Sequence, residues 1–109
     1  LTLKIRAFTD RHHDKDAYDL VYTLLNHSDG PAGAGRAIAA SAVFSDPLVA
    51  DALQRVRERF ADPRNDGPSS YARFLGSGLG EDAVARLRNE AVEAVRIAKE
   101  AIDGARGTA

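Results

Sequence analysis

The feature that most constrains this chain is the spacing of its apolar residues, which recur every three or four positions in most of its longer segments. In three segments these positions form the stripe typical of a core-facing helix. The stripe residues are Ala17, Leu20, Val21, Leu24 and Leu25, then Val49, Ala52, Leu53, Val56 and Phe60, and last Val84, Leu87, Ala91, Ala94, Val95, Ala98 and Ile102. Strand-like alternation is almost absent. The sequence therefore predicts an all-α fold, a bundle of about five helices forming one domain over residues 1–109.

Capping and helix-breaking residues predict where the helices begin and end. Asp14 suits the N-cap of the first striped helix. Gly30 and Pro31 end that helix, because glycine supplies a left-handed exit and proline cannot continue the hydrogen bonding. Asp46 before Pro47 is an N-cap followed by proline at the first helical position, and it predicts the start of the next long helix.

Glycine and proline also predict the loops. Residues 30–36, rich in glycine and alanine, are interpreted as a flexible linker, followed by a short helix over residues 36–44. Residues 63–70 carry two prolines and a glycine and are predicted to form a loop, and residues 71–75 a single helical turn. The last helix is predicted over residues 81–103 and should end at the next glycine.

Composition excludes several function classes. Fifteen basic and sixteen acidic residues, with a pI near 6.3, give no overall charge that would attract nucleic acid or an anionic membrane. No apolar run is long enough to span a membrane. The absence of cysteine suits a reducing, cytoplasmic setting. The chain has no methionine and begins at Leu1, so we expect it to be a fragment from which an upstream part is missing.

The apolar residues of the first segment, residues 1–8, fit both strand and helix periodicity. Leu1, Leu3 and Ile5 alternate as in a strand, whereas Leu1, Ile5 and Phe8 have helical spacing. A lone strand would leave its backbone groups unpaired, so a helix is favoured. If an upstream domain normally covers this segment, its exposed apolar side chains should make the fragment self-associate.

Residues 6–20 concentrate charged and histidine side chains just before the first apolar stripe. Helical spacing places Asp16 and Asp19 about 60° apart and off the stripe, so we expect both to face solvent or another domain. Acidic residues are favoured in the first turn of any helix, because the helix dipole attracts them. Spacing alone therefore favours a helix start over a reactive site.

Other candidate sites have simpler interpretations. Adjacent His12 and His13 point in different directions and have no further histidine at helical spacing, so no metal site is predicted in this chain. The glycines of residues 30–35 lack the preceding strand and the following lysine of a phosphate-binding loop. The arginines of residues 55–64 alternate with acidic residues and are interpreted as a solvated surface.

A pattern of seven positions in the segment from Leu3 to Leu20 points to a known family. The pattern is a lysine, an alanine and an arginine followed by Lys-Asp-x-x-Asp-Leu. The matching residues are Lys4, Ala7, Arg11, Lys15, Asp16, Asp19 and Leu20. Through them the segment resembles a stretch of the AbiEii-type nucleotidyltransferases, a group related to abortive-infection and toxin–antitoxin systems. The resemblance covers about the first fifth of the chain, and the remainder is similar only in being helical.

The resemblance implies an upstream nucleotidyltransferase domain, in which a Gly-Ser turn and paired aspartates hold Mg²⁺ and a nucleoside triphosphate. Neither feature occurs here, since Gly76-Ser77 is followed by no Asp-x-Asp motif. Nucleotidyl transfer requires a metal ion to neutralise developing charge. The resemblance therefore implies a C-terminal helical half that is inactive alone, with the upstream domain and an antitoxin as its partners.

The resemblance also assigns roles to five residues. Lys4 would donate to nucleotide phosphates, and Asp16 would orient Lys4 or a substrate group, so both are candidate catalytic residues. Arg11, Lys15 and Asp19 are candidate nucleotide-binding residues: the first two would supply positive charge, and Asp19 would brace Arg11. We expect Lys4 and Asp16 to lie close together and exposed on one face.

Two other functions remain open. One is a helical interaction module that docks another chain, such as an antitoxin or a regulatory partner. The other is a helical ribonuclease of the HEPN type, whose signature is an arginine a few residues before a histidine. Arg6 and His12 have roughly that spacing. His12, however, falls at a predicted helix break, and Ala7 occupies the position where that signature has a polar residue.

Overall fold

The computed structural model describes residues 14–41, 46–76 and 78–107, which form five α-helices and contain no strand. The helices are α1 (Asp14–Leu25), α2 (Gly30–Ala40), α3 (Pro47–Arg59), α4 (Asp66–Gly76) and α5 (Glu81–Gly107). The predicted all-α fold is confirmed. The helix predicted over residues 1–8 lies outside the described residues. None of the five helices combines the length and the apolar character needed to cross a bilayer.

The three predicted stripes form the core of the bundle. α5 lies at its centre and contacts each of the other four helices, most extensively α2 and α4. The buried apolar residues of α1, α3 and α5 are Ala17, Leu20, Val21, Leu24, Val49, Ala52, Leu53, Val56, Ala91, Ala94, Val95, Ala98 and Ile102. Phe60, which follows α3, is the largest fully buried side chain. The helical period of the sequence therefore predicts which faces of these helices are buried.

The predicted start of α3 is confirmed. The Asp46 side chain accepts a hydrogen bond of 2.9 Å from the Leu48 amide, and Pro47 follows as the first helical residue. The predicted end of α1 differs: the helix ends at Leu25, and Gly30, with a φ of 71°, and Pro31 are the first two residues of α2.

The segment predicted as a linker, residues 30–36, is instead the first part of helix α2, so the helix expected over residues 36–44 begins earlier than predicted. Gly33 and Gly35 are buried in this helix. A β-carbon added to Gly35 would lie 2.3 Å from the Ala98 carbonyl oxygen, so α2 and α5 approach closely only because glycine is present. This packing outweighs the helix penalty of about 1 kcal/mol for each glycine.

The loop predicted over residues 63–70 is also shorter than expected, because α4 begins within it. Pro68 lies in the first turn of α4, where an amide N–H would have no helical partner and its absence therefore costs little. Gly67 is buried against the Phe60 ring. A β-carbon added to Gly67 would lie 2.7 Å from the nearest atoms of that ring. The single turn predicted over residues 71–75 is thus part of an 11-residue helix.

Helix α5 continues to Gly107, beyond the end predicted at Gly104. The described glycines with a left-handed backbone are Gly30 and Gly78, so Gly104 keeps the helical conformation. Glycine ends a helix when the chain adopts the left-handed conformation there, and its presence alone does not impose an end.

Candidate functional site

The first two turns of α1 carry three of the residues assigned by the resemblance. Lys15 is exposed, Asp19 is half-buried, and Asp16 is buried, with only 4% of its surface exposed. The prediction that Asp16 faces solvent is therefore wrong. Asp16 stands four residues before Leu20, and this spacing places both side chains on the same face of the helix, toward the core.

The other two residues assigned by the resemblance, Lys4 and Arg11, lie outside the described residues. Their proximity to Asp16 therefore stays a prediction. Arg6, His12 and His13, on which the ribonuclease and metal-site hypotheses depend, also lie outside the described residues.

An arginine from α4 fixes the start of α1. Arg73 forms a bidentate ion pair with Asp14, with its Nε 3.2 Å from Oδ2 and its Nη2 3.0 Å from Oδ1. Nη2 also donates to the Ser70 hydroxyl at 3.0 Å. The hydrogen bond to Asp14 raises the pKa of Arg73, so this guanidinium stays charged. The first turn of α1 is thereby held against α4.

Beside this ion pair, α1, α4 and α5 surround an open cleft of about 470 Å³, which we call the Arg88 cleft. The residues that line it are Asp14, Ser69, Ala72, Arg73, Gly76, Val84 and Arg88. A second cleft of about 350 Å³ adjoins it and is lined by Leu79, Glu81, Val84, Ala85 and Arg88. Arg88 and Val84 thus separate the two, and the first is within the size range of small-molecule sites.

Arg88 occupies an unusual position for an arginine. It is half-buried and lies on the apolar stripe of α5, four residues after Val84 and three before Ala91. Its Nε is out of contact with solvent and donates no hydrogen bond within the described part of the chain. A buried donor without an acceptor costs about 1–3 kcal/mol. The site therefore holds a strong oxyanion donor whose hydrogen bonding is incomplete.

The arginines of residues 55–64 differ from Arg88 in having acidic partners. The pairs are Arg55 with Asp51, Arg57 with Asp103, Arg59 with Asp66, and Arg64 with Asp62. Arg96 is paired in the same way with Glu93 and Glu100. Arg55 and Arg64 are exposed, as the interpretation of a solvated surface predicts, whereas Arg57 and Arg59 are half-buried.

An aromatic group lies next to the anchored first turn. Tyr18 stacks on Phe74 with ring centroids 4.7 Å apart, and it also contacts Tyr71 and Tyr22 at 6.3 and 5.6 Å. Tyr71 is buried, whereas Tyr22 and Phe74 are 51% and 44% exposed. Burial raises the pKa of Tyr71 to about 12, and the Glu90 carboxylate adds to the shift by its charge and by hydrogen bonding. The group therefore joins the core to an exposed aromatic surface.

Sequence reasoning did not identify Arg73 or Arg88. Arg73 meets Asp14 across 59 positions of sequence, and no local pattern indicates such a contact. Arg88 did carry a signal, because a charged residue at spacing i+4 from Val84 falls on a stripe that is otherwise apolar. A charge on a buried helix face indicates either a partner within the protein or a ligand.

The chemistry available in the described residues is that of oxyanion binding. Two guanidinium groups and two serine hydroxyls, of Ser69 and Ser70, lie in or beside the Arg88 cleft. In residues 14–41, 46–76 and 78–107, no three histidine, aspartate or glutamate side chains are grouped so that they could hold a metal ion. No protein-family model, curated protein or solved structure matches this chain.

Proposed function

We propose that this chain is the helical part of a nucleotidyltransferase-like protein of the AbiEii type. In this proposal the first turn of α1 contributes accessory residues to a nucleotide site, and another domain supplies the residues that bind Mg²⁺ and the triphosphate. The protein would act in the cytoplasm, in a toxin–antitoxin or phage-defence system. The absence of cysteine suits that compartment.

The observation that carries the proposal is the position of the first turn of α1. Asp14, which precedes the Lys15-Asp16 pair of the family pattern, is fixed by Arg73 and lines an open cleft. Residues that act on a ligand must be held rigidly, because a small misplacement can reduce a rate about 10²-fold. The burial of Asp16 restricts this turn, and the bidentate ion pair at Asp14 adds a weaker restraint beside the cleft.

The burial of Asp16 changes how it would act. A carboxylate with 4% exposure is restricted to few orientations, so it suits a positioning residue that holds a lysine or a substrate group in place. Lys15 is exposed and can reach phosphate oxygens in solution. Asp19 is half-buried, and in the proposal it braces the positive charge of Arg11.

The proposal is tested by nucleotide transfer in the longer protein that it requires. Asp16→Asn keeps the shape of the side chain and removes its charge, and we expect it to reduce transfer about 10²-fold or more. Asp51→Asn is the matched control, because Asp51 is an exposed acid on α3 outside the cleft. Transfer is measured with labelled nucleoside triphosphate, well below the melting temperature of each variant.

Because Asp16 is buried, Asp16→Asn can also destabilise the fold, so its stability must be measured beside its activity. Thermal unfolding is therefore recorded for Asp16→Asn and Asp51→Asn together. Loss of transfer in a folded Asp16→Asn protein supports the proposal. Full transfer in that variant, or no transfer by the unmodified longer protein under any metal and nucleotide tested, contradicts it.

A second candidate function is a helical module that docks another protein chain. It is supported by the large apolar side chains on the surface beside α4. These are Tyr22, Phe74, Leu75 and Leu79, with exposed fractions of 51%, 44%, 39% and 51%. Aromatic residues of this kind are often the main contributors to binding at protein interfaces.

Sedimentation of the chain at increasing concentration tests the self-associating form of this second function. Phe74→Ser should then shift the protein toward monomer, whereas Leu48→Ser, an exposed apolar residue on α3, should not. A monomer at all concentrations would exclude this form. The docking of an antitoxin or a regulatory protein would then be tested by measuring the binding of that protein to this chain.

A further inference from the structure

Among the arginines whose side chains the structure describes, Arg36, Arg86 and Arg88 form no ion pair with the described residues. Arg36 and Arg86 are exposed, so water hydrates their charges. Arg88 is half-buried, with its Nε out of contact with solvent. Arg57 and Arg59, which are similarly half-buried, both have aspartate partners. Arg88 is thus set apart by combining partial burial with the lack of an acidic partner.

The incomplete hydrogen bonding of Arg88 makes its side chain ready to receive a ligand. Its Nε donates no hydrogen bond in the described structure, so a rotation that turns the guanidinium toward the cleft loses no hydrogen bond at that atom. An oxyanion could then accept from Nε and Nη together, in the parallel two-bond geometry that guanidinium groups favour.

A second guanidinium lines the same cleft. Arg73 uses Nε and Nη2 to bond Asp14 and Ser70, and its Nη1 bonds none of the described residues. Asp14 offsets the charge of Arg73, so Arg88 leaves one positive charge unbalanced in the lining of the cleft. In the adjoining cleft the lining residue Glu81 repels an anion, which favours binding on the side of Arg73.

We propose that the Arg88 cleft binds a phosphate group, carried either by free phosphate or by a phosphate ester. Arg88 would donate from Nε and Nη, Arg73 from Nη1, and the Ser69 hydroxyl would complete the site. A phosphate monoester has three terminal oxygens and free phosphate has four, so either can accept from two guanidinium groups on different helices at once. A carboxylate has two oxygens in one plane and is satisfied by a single guanidinium.

This site lies in the cleft that the first turn of α1 borders, but it uses other residues than the proposed function does. It contains none of the five residues that the family resemblance assigns, and it does not require a metal ion or nucleotidyl transfer. The cleft can therefore bind phosphate even if the chain has no part in nucleotide transfer. If the proposed function holds, the cleft is placed to hold a phosphate of the substrate beside the first turn of α1.

The experiment titrates the whole chain with inorganic phosphate and, separately, with metal-free ATP, both at constant ionic strength. Binding is followed through the Nε–Hε resonances of ¹⁵N-labelled arginines. We expect the Arg88 resonance to shift saturably with phosphate or ATP and not with chloride. Arg88→Gln should weaken binding about tenfold or more. Arg86→Gln, which removes the same charge from an exposed position of α5, should change affinity by less than about twofold.

The possible results distinguish free phosphate from a phosphate ester as the ligand, and specific binding from nonspecific charge attraction. Saturable binding of both probes indicates a general phosphate site, and binding of ATP alone, sensitive to Arg88→Gln, indicates a phosphate ester. Equal weakening by Arg86→Gln and Arg88→Gln would indicate nonspecific charge attraction and overturn the proposal. The proposal is also overturned if neither phosphate nor ATP shifts the Arg88 resonance of the unmodified chain. This measurement does not depend on the folding of any variant.

Discussion

Helix α5 packs against its neighbours in two contrasting ways. Toward α2 the contact is made by small residues, with Gly35 facing the backbone at Ala98 so closely that no β-carbon fits. Toward α4 and the start of α1, long charged side chains leave an open cleft of about 470 Å³ lined by Arg73 and Arg88. The same helix therefore forms a closely packed interface along one part and an open, charged cleft along another.

The contrast indicates which residues should control stability and which should control binding. Close packing makes the free energy of unfolding sensitive to a single added carbon atom. An open cleft tolerates substitution, because its side chains are partly solvated and their ion pairs contribute little to stability. We therefore expect substitutions at the α2–α5 contact to lower stability, and substitutions of the exposed residues of the Arg88 cleft to change ligand binding with little effect on stability.

The largest expected effect comes from Gly35→Ala. The added β-carbon would lie 2.3 Å from the Ala98 carbonyl oxygen, so α2 and α5 must separate. We expect the free energy of unfolding to fall by about 2 kcal/mol, despite the better helix propensity of alanine. Urea unfolding followed by circular dichroism measures this change.

The matched control is Gly104→Ala on the surface of α5. A β-carbon there would meet no atom within 4 Å, so the same chemical change should raise stability by about 0.5 kcal/mol. Opposite signs for the two variants would confirm that the packing of α2 on α5 depends on glycine. A stabilising effect of Gly35→Ala would show that the helices can separate without cost.

An effect of intermediate size is expected from Tyr71 at high pH. Its pKa is raised to about 12 in the folded protein, above the ordinary value of 10, so the stabilisation it provides is complete below pH 10. That stabilisation is lost as pH rises from 10 through 12. We expect a loss of about 1 kcal/mol at pH 11, allowing for solvent screening of Glu90.

Comparison with Tyr71→Phe isolates this effect, because other groups also titrate above pH 10. The difference in unfolding free energy between the unmodified protein and the variant should narrow by that amount between pH 9 and 11. A difference that stays constant over this range would mean that the Tyr71 hydroxyl ionises as readily as in the unfolded chain.

The smallest effect is expected at the Arg73–Asp14 pair. Its side chains are 60% and 40% exposed, so the coupling measured by a double-mutant cycle of Arg73→Gln and Asp14→Asn should be about 0.5–1 kcal/mol. The coupling should fall as salt is added. A coupling well above this range would place the first turn of α1 among the elements that stabilise the fold, and so would weaken the contrast with the α2–α5 contact.

The helices with regular stripes were predictable from sequence, and those with glycine and proline were not. α1, α3 and α5 present the predicted apolar faces to the core. α2 and α4 contain residues that disfavour helices in isolation, and local rules therefore assigned much of both to loops. Their helical structure depends on burial of Gly35 against α5 and of Gly67 against Phe60, a contribution that helix propensity within α2 or α4 does not contain.

The candidate site was predictable only in part, for a related reason. Lys15, Asp16 and Asp19 lie in the first two turns of α1, as expected, but Asp16 was assigned to the surface, although its spacing from Leu20 places it toward the core. The Arg88 cleft depends on segments distant in sequence, with Asp14 from the start of α1 and Arg88 from α5. Their convergence follows from how the helices pack.

The sequence by itself determined the all-α class, the buried faces of three helices and the capping of α3 by Asp46, because each of these depends on residues within a few turns of one helix. The tertiary structure decided that the glycine-rich segment is helical, that Asp16 is buried and that Arg73 and Arg88 share a cleft. These features depend on contacts between helices, whose free energies outweigh local preferences of about 1 kcal/mol per residue.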